Sequence, residues 1–409
     1  MNWDRKPLGT VADLCLGKML DQNKNRGEPL PYLANVNVRW GEFELNDLRT
    51  MRFEPQEMDR FGLKFGDIVM CEGGEPGRCA IWKDQIPGMM IQKAIHRIRP
   101  KECLDYRFLF YSFLHLGNSK VFDQYFTGAT IKHLPGEKLA KIEIDFPPLP
   151  IQRRIAGILS AYDELIENSQ RRIKILESMA RALYREWFVH FRFPGHESIP
   201  KVNSPLGEIP QGWEVCEIGK FIEFKSGFAF KSGTFTAEGE HRLVTIKNVQ
   251  DGAFNPESDS RMSELPKNLP PYCVLKDGDI LLSLTGNVGR VCLVYDGPFL
   301  LNQRVSKLLP VDFFDWALTY CMFREPEMRT KLEMLSNGVA QQNLSPVLAS
   351  QMDFVMPSRE LRKNFQIIAE PMIKGVVHLY TKIQNLRRTR DLLLPRLLSG
   401  QIDVEAMDS

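Results

Sequence analysis

Two stretches of the chain each carry one helical stripe. From Ile151, apolar or small residues recur at steps of three and four: Ile151, Ile155, Ile158, Tyr162, Ile166, Ser169, Ile173, Leu176, Ala180, Leu183 and Trp187. A shift of 210 residues gives a second series: Leu361, Phe365, Ile368, Met372, Val376, Leu379, Ile383, Leu386, Arg390, Leu393 and Leu397. This is the period of one continuous α-helix with one buried face. Only Ser169 and Arg390 interrupt the apolar character. At 1.5 Å per residue each helix would be about 55–60 Å long. A narrow stripe of that length cannot be buried by its own helix. The shared phase predicts that the two helices pack on each other, and on partner helices as well. The alternative is two separate helical hairpins, each folded on its own domain. Pro371 predicts a kink or a short break in the second helix, because proline lacks the donor that the helix interior needs.

The same shift aligns the rest of the chain. Leu8-Gly9 and Gly17 fall on Ile218-Gly219 and Gly227. The run 32–38 (YLANVNV) falls on 243–249 (LVTIKNV), and each is followed by Gly-x-Phe at 41–43 and 252–254. The strongest match pairs 63–70 (LKFGDIVM) with 275–282 (LKDGDILL), continuing as Gly74, Gly77 and Arg78 against Gly286, Gly289 and Arg290. Ile95–Pro100 then falls on Val305–Pro310, Gly128 on Gly338, Leu134 on Leu344 and Pro147 on Pro357. Ordered matches whose offset drifts by only two residues indicate a duplication of domain-sized units, far longer than solenoid repeats.

The first part of each copy reads as strands and turns. Short β-branched runs, Leu243–Val249 and Ile280–Leu284, are bounded by Gly and Asp. Thr285–Gly289 predicts a tight connection into a strand at Val291–Val294. Helices are predicted at Tyr106–Leu116 and Phe313–Phe323. Each copy is thus expected to be an α+β domain.

Composition adds limits. The chain is 43% hydrophobic and 25% charged, ordinary for a folded protein. A net charge of +2 does not advertise nucleic-acid binding, since a sum hides local patches. A DNA reader this neutral would draw some phosphate contacts from partner subunits. The eight cysteines form no C-x-x-C pair or zinc-type cluster and read as free, mostly buried thiols of a reducing cytosol. No signal peptide or membrane-spanning run is evident. Phosphate-loop, zinc-protease and serine-hydrolase motifs are absent. The Gly73–Gly77 loop resembles a phosphate cradle only loosely, and Asn268–Tyr272 (NLPPY) departs from the amino-methyltransferase motif by an inserted residue. His190, His196 and His378 are scattered.

What remains is a binding protein. Arg and Lys suit guanine edges, Asn and Gln adenine edges. In the second copy the loop candidates are Asn287, Arg290, Asn302, Gln303, Arg304, Gln341, Gln342 and Asn343. In the first they are Arg78, Gln92, Lys93, Lys132 and His133.

At this point the chain resembles the specificity subunit of type I restriction–modification systems, over nearly its whole length. Ile209–Trp213 (IPQGW) with Ile218-Gly219 resembles the start of that family's target-recognition domain. Lys225–Ser232, Ile246–Val249 and Gly278–Gly286 resemble its internal blocks, and Phe146–Gln152 (FPPLPIQ) its approach to the central helix. These blocks add Lys225, Lys231 and Thr285 to the DNA-binding candidates. The resemblance implies two target-recognition domains, 1–147 and 196–357, separated by helical spacers 148–195 and 358–400, with a tail at 401–409. It implies that the helices form an antiparallel coiled coil fixing the spacing between two halves of a bipartite double-stranded DNA site. Two methyltransferase subunits would dock on the helices, binding S-adenosylmethionine and methylating adenine. Restriction subunits would add ATP- and Mg-dependent translocation and cleavage. This chain would carry no catalytic residue, metal or cofactor of its own, and would be cytoplasmic in a bacterium or archaeon.

Departures fall mainly in the first copy. It lacks the Pro-x-Gly-Trp start, and it has Cys71–Gly74 where the second has Ser283–Gly286 and Gln92-Lys93 where the second has Asn302-Gln303. The second helix follows Pro357–Glu360 (PSRE) in place of the proline-rich approach. Two other readings remain open: a coiled-coil assembly adaptor of a defence complex that binds protein and not DNA, and a fragment of a fused enzyme without its catalytic domain.

Overall fold

A computed structural model describes residues 3–19, 21, 25–236, 238–336 and 342–405. The chain divides into two compact units, Met1–Glu164 with Leu386–Ser409, and Leu165–Asn385.

In the first unit the strands are β1 (Asp4–Pro7), β2 (Ala12–Leu16), β3 (Glu28–Leu33), β4 (Arg49–Phe53), β5 (Ile68–Cys71), β6 (Cys79–Ile81), β7 (Met90–Ile91), β8 (Ile95–Pro100) and β9 (Glu143–Phe146). They form a four-stranded sheet in the order β2-β8-β5-β6, a three-stranded sheet β4-β3-β7 and a pair β1-β9. Both faces of the larger sheet are buried, which is why β5 reads as an unbroken apolar run and not an alternating one. Ile68 and Met70 join a core with the helix Tyr106–Asn118, while Val69 and Cys71 face a second core with the smaller sheet.

The second unit repeats this plan. Its strands are β10 (Lys201–Ser204), β11 (Gly207–Pro210), β12 (Glu214–Glu217), β13 (Ile222–Ser226), β14 (His241–Val244), β15 (Arg261–Met262), β16 (Val274–Leu275), β17 (Ile280–Ser283), β18 (Val291–Leu293), β19 (Phe299–Leu301), β20 (Val305–Pro310) and β21 (Asp353–Met356). The orders β13-β20-β17-β18 and β12-β21 match those of the first unit; β15-β14-β19-β16 matches β4-β3-β7 with one strand more, at the place of the first unit's Gly62–Met90 bridge, and β10-β11 is an added pair. Even the register is kept: Ala12 pairs with Pro100 and Ile222 with Pro310, Leu16 with His96 and Ser226 with Ser306. The duplication read from the sequence is therefore a duplication of topology.

The second stripe is one α-helix, Arg359–Leu398, and the first runs as an α-helix over Leu149–Tyr184 and continues in a π-helical turn, Arg185–Val189, that carries Trp187; neither folds back on itself, which removes the paired-hairpin alternative. All eleven positions of the first stripe are buried or half-buried; in the second only Ile368, 42% exposed, is not. Contacts within each unit fix the direction. In the first unit Ile155 and Leu159 share a core with Leu394 and Leu397, and Arg390 Nη1 donates to Asp163 at 2.5 Å. In the second, Leu176 lies against Gly375, and Tyr184 and Trp187 pack on Phe365. One residue number rises as the other falls, so the pairing is antiparallel. Arg390, odd in the sequence pattern, takes its stripe position because it has Asp163 as a partner.

Three expectations need correction. No break occurs at Pro371, which lies on the exposed face; the carbonyl of Ile367 that it leaves without a donor belongs to a residue 70% exposed. Packing of Phe365, Ala369 and Ile373 on either side carries the helix through. The run Leu243–Val249 is a strand only to Val244, because the Asn248 side chain then holds the backbone in a turn, accepting from Thr245 N at 2.7 Å and donating to Asn255 O at 2.9 Å. The helix predicted from Phe313 opens with a 3-10 turn at Phe313–Asp315 and becomes α-helical at Trp316–Phe323, and a further helix, Pro326–Leu335, was not foreseen.

Candidate nucleic-acid interface

Three loops converge at one end of the larger sheet in each unit. In the second unit the first is the turn from β17 to β18. Gly286 and Gly289 take positive φ there, Gly289 N donates to Ser283 O at 3.1 Å, and Ser283 N to Arg290 O at 3.0 Å. The second is the segment before β20, where Gln303 N donates to Phe228 O and Leu284 N to Arg304 O, both at 3.1 Å. The third is the segment before Leu344, whose amide donates to Leu284 O at 2.8 Å.

The first unit closes its loops with equivalent bonds: Gly77 N to Cys71 O, Cys71 N to Arg78 O, Lys93 N to Lys18 O, Glu72 N to Ala94 O and Leu134 N to Glu72 O, all between 2.8 and 3.0 Å. Candidate residues that the sequence repeat had already aligned occupy equivalent places in the structure. Gln92 answers to Asn302, Lys93 to Gln303 and His133 to Asn343; the bridges Lys18–Gln92 and Phe228–Asn302, and Gly73–His133 and Thr285–Asn343, fix the correspondence.

The candidates differ in what their side chains can reach. Asn287, Gln303, Arg304, Gln342 and Asn343 are exposed, as are Lys93, Lys132 and His133. Gln92 and Asn302 are half-buried, and Asn302 Oδ1 caps Gln303 N at 2.7 Å. Thr285 is buried, with its hydroxyl on Asn343 Oδ1 at 3.2 Å. Lys225 lies over the Tyr272 ring and pairs with Glu223 at 2.9 Å; Lys231 is exposed. Lys132 lies over Phe126 and 3.8 Å from Asp123. The two arginines turn inward. Arg78 bonds Glu75 at 2.6 Å and Asn35 O at 3.0 Å, and Arg290 bonds Gln250 Oε1 at 2.6 Å. Gln341 lies outside the described residues.

A groove beside the second unit's loops was not read from the sequence. Lys247, Asn255, Glu257 and Asp259 line it together with Asn302 and Arg304. Reading 243–249 as a strand hid Lys247, since the turn held by Asn248 is what brings this segment to the groove. Basic, amide and acidic side chains together can engage donor and acceptor edges of bases.

In the first unit His96 sits beneath the loops, 1% exposed, with Nε2 2.8 Å from Leu134 O. Burial away from water lowers its pKa, opposed by that bond. Burial likewise pushes the Cys71 thiol up, against the neighbouring Arg78. Among the described residues no three or more His, Cys, Asp or Glu gather as a metal site, and no helix is long and apolar enough to cross a membrane.

Paired loop clusters on duplicated domains, joined by two antiparallel helices, are the organisation of a DNA-specificity protein. The family model of the type I restriction modification DNA specificity domain matches residues 1–178 and 210–346. The chain belongs to this family, and it is a DNA-recognition subunit. It is similar to the MjaIX type I restriction enzyme specificity subunit of Methanocaldococcus jannaschii, at 26% identity over 84% of this chain and 79% of that one. It is also similar to the HindI specificity subunit of Haemophilus influenzae, at 23% identity over 67% of this chain and 72% of the other. The fold matches the crystal structure of the type I restriction–modification S subunit from M. genitalium with a TM-score of 0.59, at 19% identity, over 97% of this chain and 96% of that one.

Proposed function

We propose that each unit reads one half of a bipartite asymmetric double-stranded DNA site, while the antiparallel helices set the distance between the halves. The observation carrying this reading is the pairing of conserved loop backbone with exchanged side chains: Gln92 for Asn302, Lys93 for Gln303, His133 for Asn343. One scaffold with two sets of readers fits a two-part target whose halves differ. Exposed loop cations such as Lys93 and Lys231 would position the protein on phosphates, and the loop amides would enter the major groove. Direct base contact is assigned to Arg304, Gln303, Asn287, Gln342 and Asn343, with Lys132 and His133 in the first unit.

The chain acts without catalysis of its own. Two methyltransferase subunits would dock on the long helices, where Ile175, Met179, Ile367 and Leu392 expose apolar surface, and restriction subunits would join the full complex. S-adenosylmethionine, ATP and Mg would then be bound by those partners.

A gel shift at stated salt, with and without the methyltransferase subunits, tests the reading together with methylome sequencing of a host carrying the system. The expected results are a shift strengthened by the partners and weakened by salt, and a two-part methyladenine motif. A complex that assembles yet neither shifts DNA nor yields such a motif would leave only the adaptor reading.

A further inference from the structure

We propose that a relay, Glu177–Arg324–Asp251–Gln250–Arg290, of side-chain hydrogen bonds and one link along the chain, positions the second unit's reading loop from the first long helix, so that these residues govern the fidelity of one half-site. The inference rests on the two-part reading above.

Glu177 lies on the first long helix. Its Oε1 accepts from Tyr320 Oη at 2.8 Å and from Arg324 Nε at 3.1 Å. Arg324 is almost fully enclosed, 8% exposed, and its other arm donates to Asp251. The next residue back, Gln250, completes the path: its Oε1 accepts from Arg290 Nη1 at 2.6 Å, while its Nε2 donates to Lys247 O at 2.8 Å. Arg290 closes the reading loop itself. Its amide donates to Ser283 Oγ at 3.1 Å, and that hydroxyl donates to Asn287 O at the loop tip. Side-chain hydrogen bonds make every step except Asp251–Gln250, which are joined as neighbours in the chain, and groups linked in this way couple.

Gly252 shows that the path is built closely. It has φ +76°, and a Cβ there would stand 2.2 Å from Arg324 Nη2 and 3.2 Å from Glu177 Oε1. Among the described residues, the corresponding turn of the first unit makes other contacts. Trp40 packs there against Gly117, Arg39 bonds the local carbonyls of Val36 and Val38, and Arg78 bonds Glu75 and Asn35 O. Loosening the relay should therefore affect one half-site only.

The test uses the full chain produced with its methyltransferase subunits in cells lacking other adenine methylation. Glu177→Met, Asp251→Ala and Gln250→Leu each remove the acceptor of one link; Gln250→Glu keeps an acceptor for Arg290. The first three are expected to methylate sites carrying one mismatch in the second half about tenfold more often relative to correct sites, a mid-range value for coupling within one network. Fidelity in the first half and copurification with the partners should stay as in the wild type, and Gln250→Glu should behave as wild type. Unchanged second-half fidelity in the three variants, or equal loss in both halves, overturns the relay. Absence of any two-part motif for the wild type overturns the two-part reading instead.

Discussion

His96 occupies a position that the duplication treats unequally. In the first unit it is buried in β8 and bonded to Leu134 O; the same register position in β20 is Ser306. Burial holds its folded pKa below the unfolded value. Between the two values the unfolded chain binds the proton that the folded one resists. The stability this group contributes is therefore present above its unfolded pKa and is lost as pH falls toward the folded one. Thermal melts from pH 7.5 to pH 5, figures chosen to bracket the usual histidine range near 6.5, should show a wild-type decline that is shallower in His96→Gln, whose amide can still donate to Leu134 O. Equal slopes would show that His96 does not carry the effect. The asparagines under the loops make a second case. Asn37 accepts from Ala34 N and donates to Glu44 O, as Asn248 does with Thr245 N and Asn255 O. Replacing either by alanine removes the bonds of a buried side chain to partly buried backbone groups and should cost about 1–3 kcal/mol in denaturant unfolding. A loss below a few tenths of a kcal/mol would show that water replaces the side chain. At this scale the sequence was partly legible. Arg78 and Arg290 were recognisable as equivalent, but an arginine's pattern does not say whether it points to DNA or inward, and these two point inward.

The elements were more legible than the residues, because periodicity reports burial directly. Both long helices follow their stripes, and β5 and β17 follow the apolar runs after their Gly-Asp turns. What escaped is what tertiary packing decides. Pro371 stays inside a helix whose buried face outweighs one missing bond, and the helix Pro326–Leu335 fills a place where the first unit has only a 3-10 turn, Val121–Tyr125. Phe365 tests the packing account. It is fully buried, with ring centroids 4.9 Å from Phe188, 5.9 Å from Trp187 and 6.3 Å from Tyr184. Phe365→Ala should destabilise the protein by about 3–5 kcal/mol, and Ile155→Ala, at the equivalent place in the first unit, by about 2–5 kcal/mol. Ile368→Ala, at the exposed stripe position, should change unfolding by less than about 0.5 kcal/mol. A large loss there would mean that the second helix is rotated from the orientation described.

At the scale of the molecule, duplication separates scaffold from reader. Each unit has its own cores, and the backbone bonds that close the loops recur in both. Selection can then exchange loop side chains in one unit without disturbing the other, which is why the copies agree in glycines and strand registers yet differ at the loop tips. The consequence is a transplant. Asn302→Gln, Gln303→Lys and Asn343→His place the first unit's residues at the second unit's equivalent sites. The backbone should accept them, because Lys93 N and Gln303 N donate in the same way and both bridges to the third loop are present. The triple variant should fold and assemble with a methylated motif altered in its second half and unchanged in its first. A motif altered in both halves would show that the units do not read independently, and an unaltered motif would place the base contacts elsewhere, with the groove of Lys247, Asn255 and Asp259 as the next site to change.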